Sequence, residues 1–247
     1  MSQELTEPTV PDAPLHLASP EEDWDDSTTS LFLRALLALV IGGGLLWGQW
    51  NAPIAPGVDY ARWTLLSVWA NFILPVCVVW FLFAQTLVPM ELKNQALNAW
   101  NYGWKFSDWK KQLPFSLTLG AAMLPFLFLA SRDPAVRGSY AQWFPSGGGF
   151  TLLVNCTLLA IYLFCWEWFF RGFLLFGMAQ GFTWPIAIVV QAVVFGFAHA
   201  GKPQVEMMGA FAGGAVLGVI AWRQKSFFTA FLTHFWIHLA WVLLIRF

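Results

Sequence analysis

The chain has 247 residues, 58% of them hydrophobic and 11% charged, with 16 Trp and 24 Phe. A soluble domain of this length could not bury so much apolar surface, so the composition excludes the soluble globular classes. The formal net charge is -1, and Cys77, Cys156 and Cys165 all fall in apolar runs, so a disulfide framework of the secreted kind is not indicated.

The charge is unevenly distributed. Glu4, Glu7, Asp12, Glu21, Glu22, Asp23, Asp25 and Asp26 precede the first apolar run, and no Lys or Arg occurs before Arg34. With Pro8, Pro11, Pro14 and Pro20 and little periodicity, residues 1–29 read as a disordered acidic tail. A secretory signal would instead open with a basic region and an apolar core.

Apolar runs at about 30–48, 63–86, 113–131, 151–178, 183–200, 206–222 and 226–245 predict seven membrane helices, hence an all-α polytopic transmembrane bundle. Residues 30–131 form the amino-terminal helices. Within them, 87–112 interleaves Lys93, Lys105, Lys110 and Lys111 with Trp100, Tyr102, Trp104 and Trp109, the pattern of an interfacial amphipathic helix. Basic residues on alternate sides place the amino terminus in the cytoplasm: Arg34, the four lysines, Arg171, Arg223 and Lys225 outnumber Arg62, Arg132, Arg137, Lys202 and Arg246. The Pro- and Gly-rich loop from Arg132 to Gly149 separates these helices from a membrane core at 150–247. In the sixth run, Gly209, Gly213, Gly214 and Gly218 form two small-xxx-small pairs whose expected role is close helix packing.

Intramembrane polarity is concentrated in that core. A charge at the bilayer centre costs at least about 2.5 kcal/mol, so ionisable residues there face the protein interior and find partners. Glu167 and Arg171 stand four apart on one helix face and can pair. Glu167 lies roughly 21 Å, and His199 roughly 27 Å, along their helices from the shared turn near Gly181, at about 1.5 Å per residue. His234 and His238, again four apart, enter from the last run at compatible depth. A carboxylate and imidazoles so gathered can activate water, protonate a leaving amine and donate to an oxyanion, which suffices for peptide hydrolysis. The same residues admit a zinc site or a proton pathway, although no HExxH spacing supports the metal. Cys165 points about 160° away from Glu167 at 3.6 residues per turn, which disfavours it as a nucleophile. Glu206 follows Gly201-Lys202-Pro203-Gln204 and is expected at the membrane surface, solvated.

Glu167-x-x-x-Arg171-Gly172, Phe195-x-x-x-His199 and His234-x-x-x-His238, in that order, resemble the CPBP family of intramembrane glutamic proteases, the CAAX-processing and bacteriocin-processing group, whose pattern is EExxxR, FxxxH and HxxxN. The resemblance covers roughly residues 150–247 and extends to the myxosortase-like bacterial members. It implies an intramembrane endopeptidase of a bacterial-type inner membrane, acting on a membrane-associated or carboxyl-terminally anchored protein, with no cofactor, no metal and no nucleic-acid partner. It further implies Glu167 as base, Arg171 as its support, His199 sharing the water, and His234 with His238 at the oxyanion. Two positions depart from the pattern: Trp166 replaces the first glutamate and His238 the asparagine. The alternative is therefore an inactive membrane binding or chaperone-like relative, with a proton or ion transporter third.

Overall fold

The structure, a computed structural model, describes residues 26–52, 60–80, 102–106, 108–141 and 149–246. Among these the architecture is all-α, and the lone β-type pairing is an isolated bridge between Trp104 and Ser226. Among the described residues, six helices are long and apolar enough to cross a membrane: α1 (Asp26–Trp50), α2 (Tyr60–Trp80), α3 (Trp109–Ala130), α5 (Gly149–Phe176), α7 (Gln204–Gln224) and α8 (Phe228–Arg246). Between them lie the short α4 (Pro134–Ala141) and the apolar α6 (Trp184–Phe197). Phe150, Leu153, Trp47, Leu129 and Val189 are among many large apolar side chains turned outward. In so apolar a chain an outward face of this kind meets lipid, and the protein is integral to a membrane.

Two of the expected runs differ in extent. The fifth, 183–200, yields a helix of 14 residues, about 21 Å long against a hydrocarbon core of about 30 Å. Its helix stops at Phe197 because Ala198 to Gly201 turn back, with Gly201 at φ 84°, a left-handed conformation that glycine adopts without a Cβ penalty. The third begins at Trp109, earlier than the apolar pattern, since Lys110 and Lys111 form its exposed first turn.

Of the expected interfacial segment 87–112, residues 87–101 and 107 lie outside the described residues, as do 1–25 of the acidic tail. Of the described part, Tyr102 to Phe106 form no α-helix and turn inward, whereas Trp109 to Gln112 open α3. Tyr102 is buried, and the Trp104 ring lies 5.1 Å from Trp168 and 5.4 Å from Phe227. The Phe227 amide donates to the Gly103 carbonyl at 3.1 Å, which anchors this loop to the start of α8.

The core is built around the end of α5. From Trp168 to Phe176 its backbone widens to π-helical bonding, and every residue of that stretch is buried. Gly172 makes the packing there feasible, since a Cβ would fall 2.2 Å from the Trp168 ring. Helix α6 crosses this segment and packs most extensively on α7. At that contact Gly214 approaches the Ala192 backbone and Gly218 approaches Ile188 and Gln191, whereas Gly209 and Gly213 have no close neighbour. One of the two small-residue pairs thus serves packing within the bundle. A second apolar cluster, Leu127, Val136, Tyr140 and Trp241, holds α4 over the α3–α8 pair.

Candidate active site

Glu167 ends the α-helical part of α5, one residue before the helix widens. Its side chain and that of Arg171 are both 0% exposed, and Oε2 meets Arg171 Nη1 at 2.7 Å. Across the ion pair the guanidinium stands over the face of Phe195, 4.0 Å from its centroid. A buried cation so far from water gains from the ring quadrupole, about 2 kcal/mol or more when desolvated. The other carboxylate oxygen, Oε1, accepts from His234 Nδ1 at 2.6 Å. Glu167 is therefore occupied on both oxygens.

His199 sits in the turn after α6. Its Nδ1 lies 2.8 Å from the Phe195 carbonyl, and a carbonyl only accepts, so Nδ1 carries the proton and Nε2 keeps its lone pair. By the same reasoning His234 donates through Nδ1 to Glu167 and, when neutral, presents an unprotonated Nε2. His238 lies one turn further along α8, its ring 4.6 Å from that of His234 and 6.1 Å from that of Tyr140. Phe195 thus has three tasks. It covers Arg171, it accepts from His199, and it packs against the His199 ring at 4.7 Å.

The three imidazoles line one cavity of about 40 Å³, together with Trp166, Tyr60, Tyr162 and Tyr140. A water needs roughly 10–15 Å³ of such space and two to four polar partners, so the cavity is roomy and polar enough to hold water. Glu167 is not among the lining residues, whereas His234, bonded to its Oε1, is. Trp166 does, with its ring 6.1 Å from His199 and 4.9 Å from Phe170. Cys165 is buried in the core and forms no part of the wall. Among the described residues no group of three His, Cys, Asp or Glu side chains is placed to hold a metal ion.

Glu206 departs from the expectation of a solvated surface carboxylate. Its side chain is only 11% exposed and faces the same cavity, because the tight turn at Gly201 brings the first turn of α7 back beside His199. The Tyr140 hydroxyl donates to Oε1 at 2.8 Å, and Lys202 Nζ lies 3.6 Å from the same oxygen. Burial, reinforced by the Glu206 carboxylate, raises the Tyr140 pKa well above its ordinary value, so the phenol remains a donor. Burial also lowers the Lys202 pKa, opposed by the carboxylate beside it. Sequence reasoning missed Glu206, Lys202 and Tyr140. The available signal was the charged pair at a spacing of four within seven residues of His199.

Residues 147–240 match the family model described as Rce1-like, type II CAAX prenyl endopeptidase Rce1-like. No curated protein and no solved structure matches the chain.

Proposed function

We propose, from the premise that residues 147–240 form a CPBP-family membrane core, that the protein is an intramembrane endopeptidase hydrolysing a peptide bond of a membrane-associated or carboxyl-terminally anchored protein. The observation that carries this reading is the convergence of His199, His234 and His238 on one water-sized cavity within the matched region.

In this mechanism His199 Nε2 accepts a hydrogen bond from the attacking water, its tautomer held by the Phe195 carbonyl. His234 and His238 face the developing oxyanion and donate to it when protonated, a role for which imidazole replaces the amide of the family pattern. Glu167 acts through His234: it accepts from Nδ1 and so orients the ring, while Arg171 balances the carboxylate charge. We therefore assign Glu167 the role of a positioning residue in place of water-activating base, because its oxygens are engaged by Arg171 and His234. The setting is a bacterial-type inner membrane with the amino terminus in the cytoplasm.

One observation favours a second reading. Trp166 fills part of the cavity wall at the place where the family pattern carries its first glutamate, as expected of an inactive relative that binds without cutting. Cleavage of a farnesylated, internally quenched CAAX-type peptide by the purified protein separates the two. The enzyme reading expects turnover that falls at least about a hundredfold in His199→Ala. An intact, membrane-inserted wild type that cleaves nothing, with turnover appearing only in Trp166→Glu, establishes the inactive reading.

A further inference from the structure

The roles assigned above leave one unfilled, the carriage of a proton from water to the leaving amine. His199 holds the water at Nε2, His234 and His238 face the oxyanion, and Trp166 has no acid or base function. Among the described residues that line the cavity, one is a carboxylate, Glu206. Resting on the peptidase reading above, we infer that Glu206 is a further catalytic residue, supplying from α7 the carboxylate that α5 lacks at Trp166.

Three features separate this carboxylate from an ordinary surface ion pair. Exposed pairs four apart on a helix are solvated and contribute little, whereas Glu206 is nearly covered and lines one cavity with three histidines. Both of its polar contacts, the Tyr140 hydroxyl and Lys202, are on Oε1. Oε2 is buried with no hydrogen-bond partner among the described residues. A buried acceptor left open is costly unless water or substrate completes it. The geometry that holds one oxygen and leaves the other open is that of a positioned general base.

The step balances without any co-reactant beyond water. Water held at His199 Nε2 gives a proton to Glu206 Oε2 as its oxygen bonds to the scissile carbonyl carbon, and the carbonyl π pair moves onto the oxygen facing His234 and His238. When that pair returns, the C–N bond breaks and the amine nitrogen takes the proton from Glu206. The products are a carboxylic acid and an amine, and the carboxylate is regenerated.

The test is steady-state cleavage of the farnesylated quenched peptide by full-length wild type, Glu206→Gln, Glu206→Asp and Tyr140→Phe. Gln keeps the acceptor for Tyr140 but cannot take a proton, so kcat is expected to fall at least about a hundredfold with KM changed less than about threefold. Asp, with its carboxylate withdrawn by one methylene, should retain more activity than Gln. Tyr140→Phe, which loosens the carboxylate without removing it, should lose less than Gln. A folded Glu206→Gln protein with kcat within about threefold of wild type overturns the assignment while leaving the peptidase reading intact. Should Glu206→Gln fail to accumulate, Lys202→Met/Glu206→Met replaces both charges by apolar groups of similar length, and near-wild-type turnover there overturns it equally. A wild type that cleaves nothing overturns the peptidase reading itself, and this inference with it.

Discussion

Replacing Glu167 by Gln removes one charge from a pair that has no access to water and leaves Arg171 buried without a counter-charge. Breaking a buried ion pair from one side costs about 3–5 kcal/mol. The face of Phe195, 4.0 Å from the guanidinium, remains and favours the lower end, so we expect a loss of about 3 kcal/mol. The amide oxygen of Gln still accepts from His234 Nδ1 but makes a weaker, uncharged hydrogen bond that orients the ring less firmly, so turnover should fall roughly tenfold, less than in His199→Ala. Arg171→Met alone strands the carboxylate and should cost a similar amount. The double variant removes both charges and should lie within about 1.5 kcal/mol of wild type, a coupling of at least about 2 kcal/mol. Reversible unfolding in mixed micelles, followed by tryptophan fluorescence, gives all four stabilities. A Glu167→Gln protein within about 1 kcal/mol of wild type, with the two substitutions simply additive, would refute the buried-pair argument and the positioning role built on it.

Gly181, in the turn between α5 and α6, abuts the α1 backbone: a Cβ there would lie 2.4 Å from the Leu31 carbonyl oxygen and 2.6 Å from Phe32 Cα. Gly181→Ala should therefore cost about 1–3 kcal/mol, whereas Gly209→Ala, with nothing within 4 Å, should be neutral or stabilising; equal melting temperatures for the two would contradict the packing described. Because no three His, Cys, Asp or Glu side chains among the described residues are placed to hold a metal ion, cleavage should survive exhaustive chelation, and restoration of a chelated, inactive protein by zinc would reject that expectation. Reporter tags at Ser2 and Lys105 should report the same, cytoplasmic side and a tag after Phe247 the opposite one; opposite sides for the first two would undo the pairing of α1 with α2 as consecutive crossings.

The bundle was legible in the sequence because the bilayer imposes a simple code, in which a span must be apolar along about 20 residues whatever it packs against. The same cost explains why Glu167, Arg171, His199, His234 and His238 stood out: polarity inside an apolar run has few neighbours to blur it. The pairing of Glu167 with Arg171 followed from one helix's own geometry, since a spacing of four puts both on one face whatever lies opposite.

What crosses between elements was not encoded locally. That both oxygens of Glu167 are consumed, one by its own helix and one by α8, required knowing where α8 lies. Tyr102 and Trp104 carry the composition of an interfacial segment, yet they enter the core because the loop pairs with Ser226 and Phe227 at the start of α8. Glu206 shows the limit most clearly. Next to Gly201, Lys202 and Pro203 its local sequence is that of a solvated loop, and local sequence records only how polar the neighbours along the chain are. The left-handed turn at Gly201 and the packing of α7 on α6 decided which way the carboxylate faces, and its burial beside Tyr140, on a cavity shared with three imidazoles, is a property of that tertiary arrangement alone.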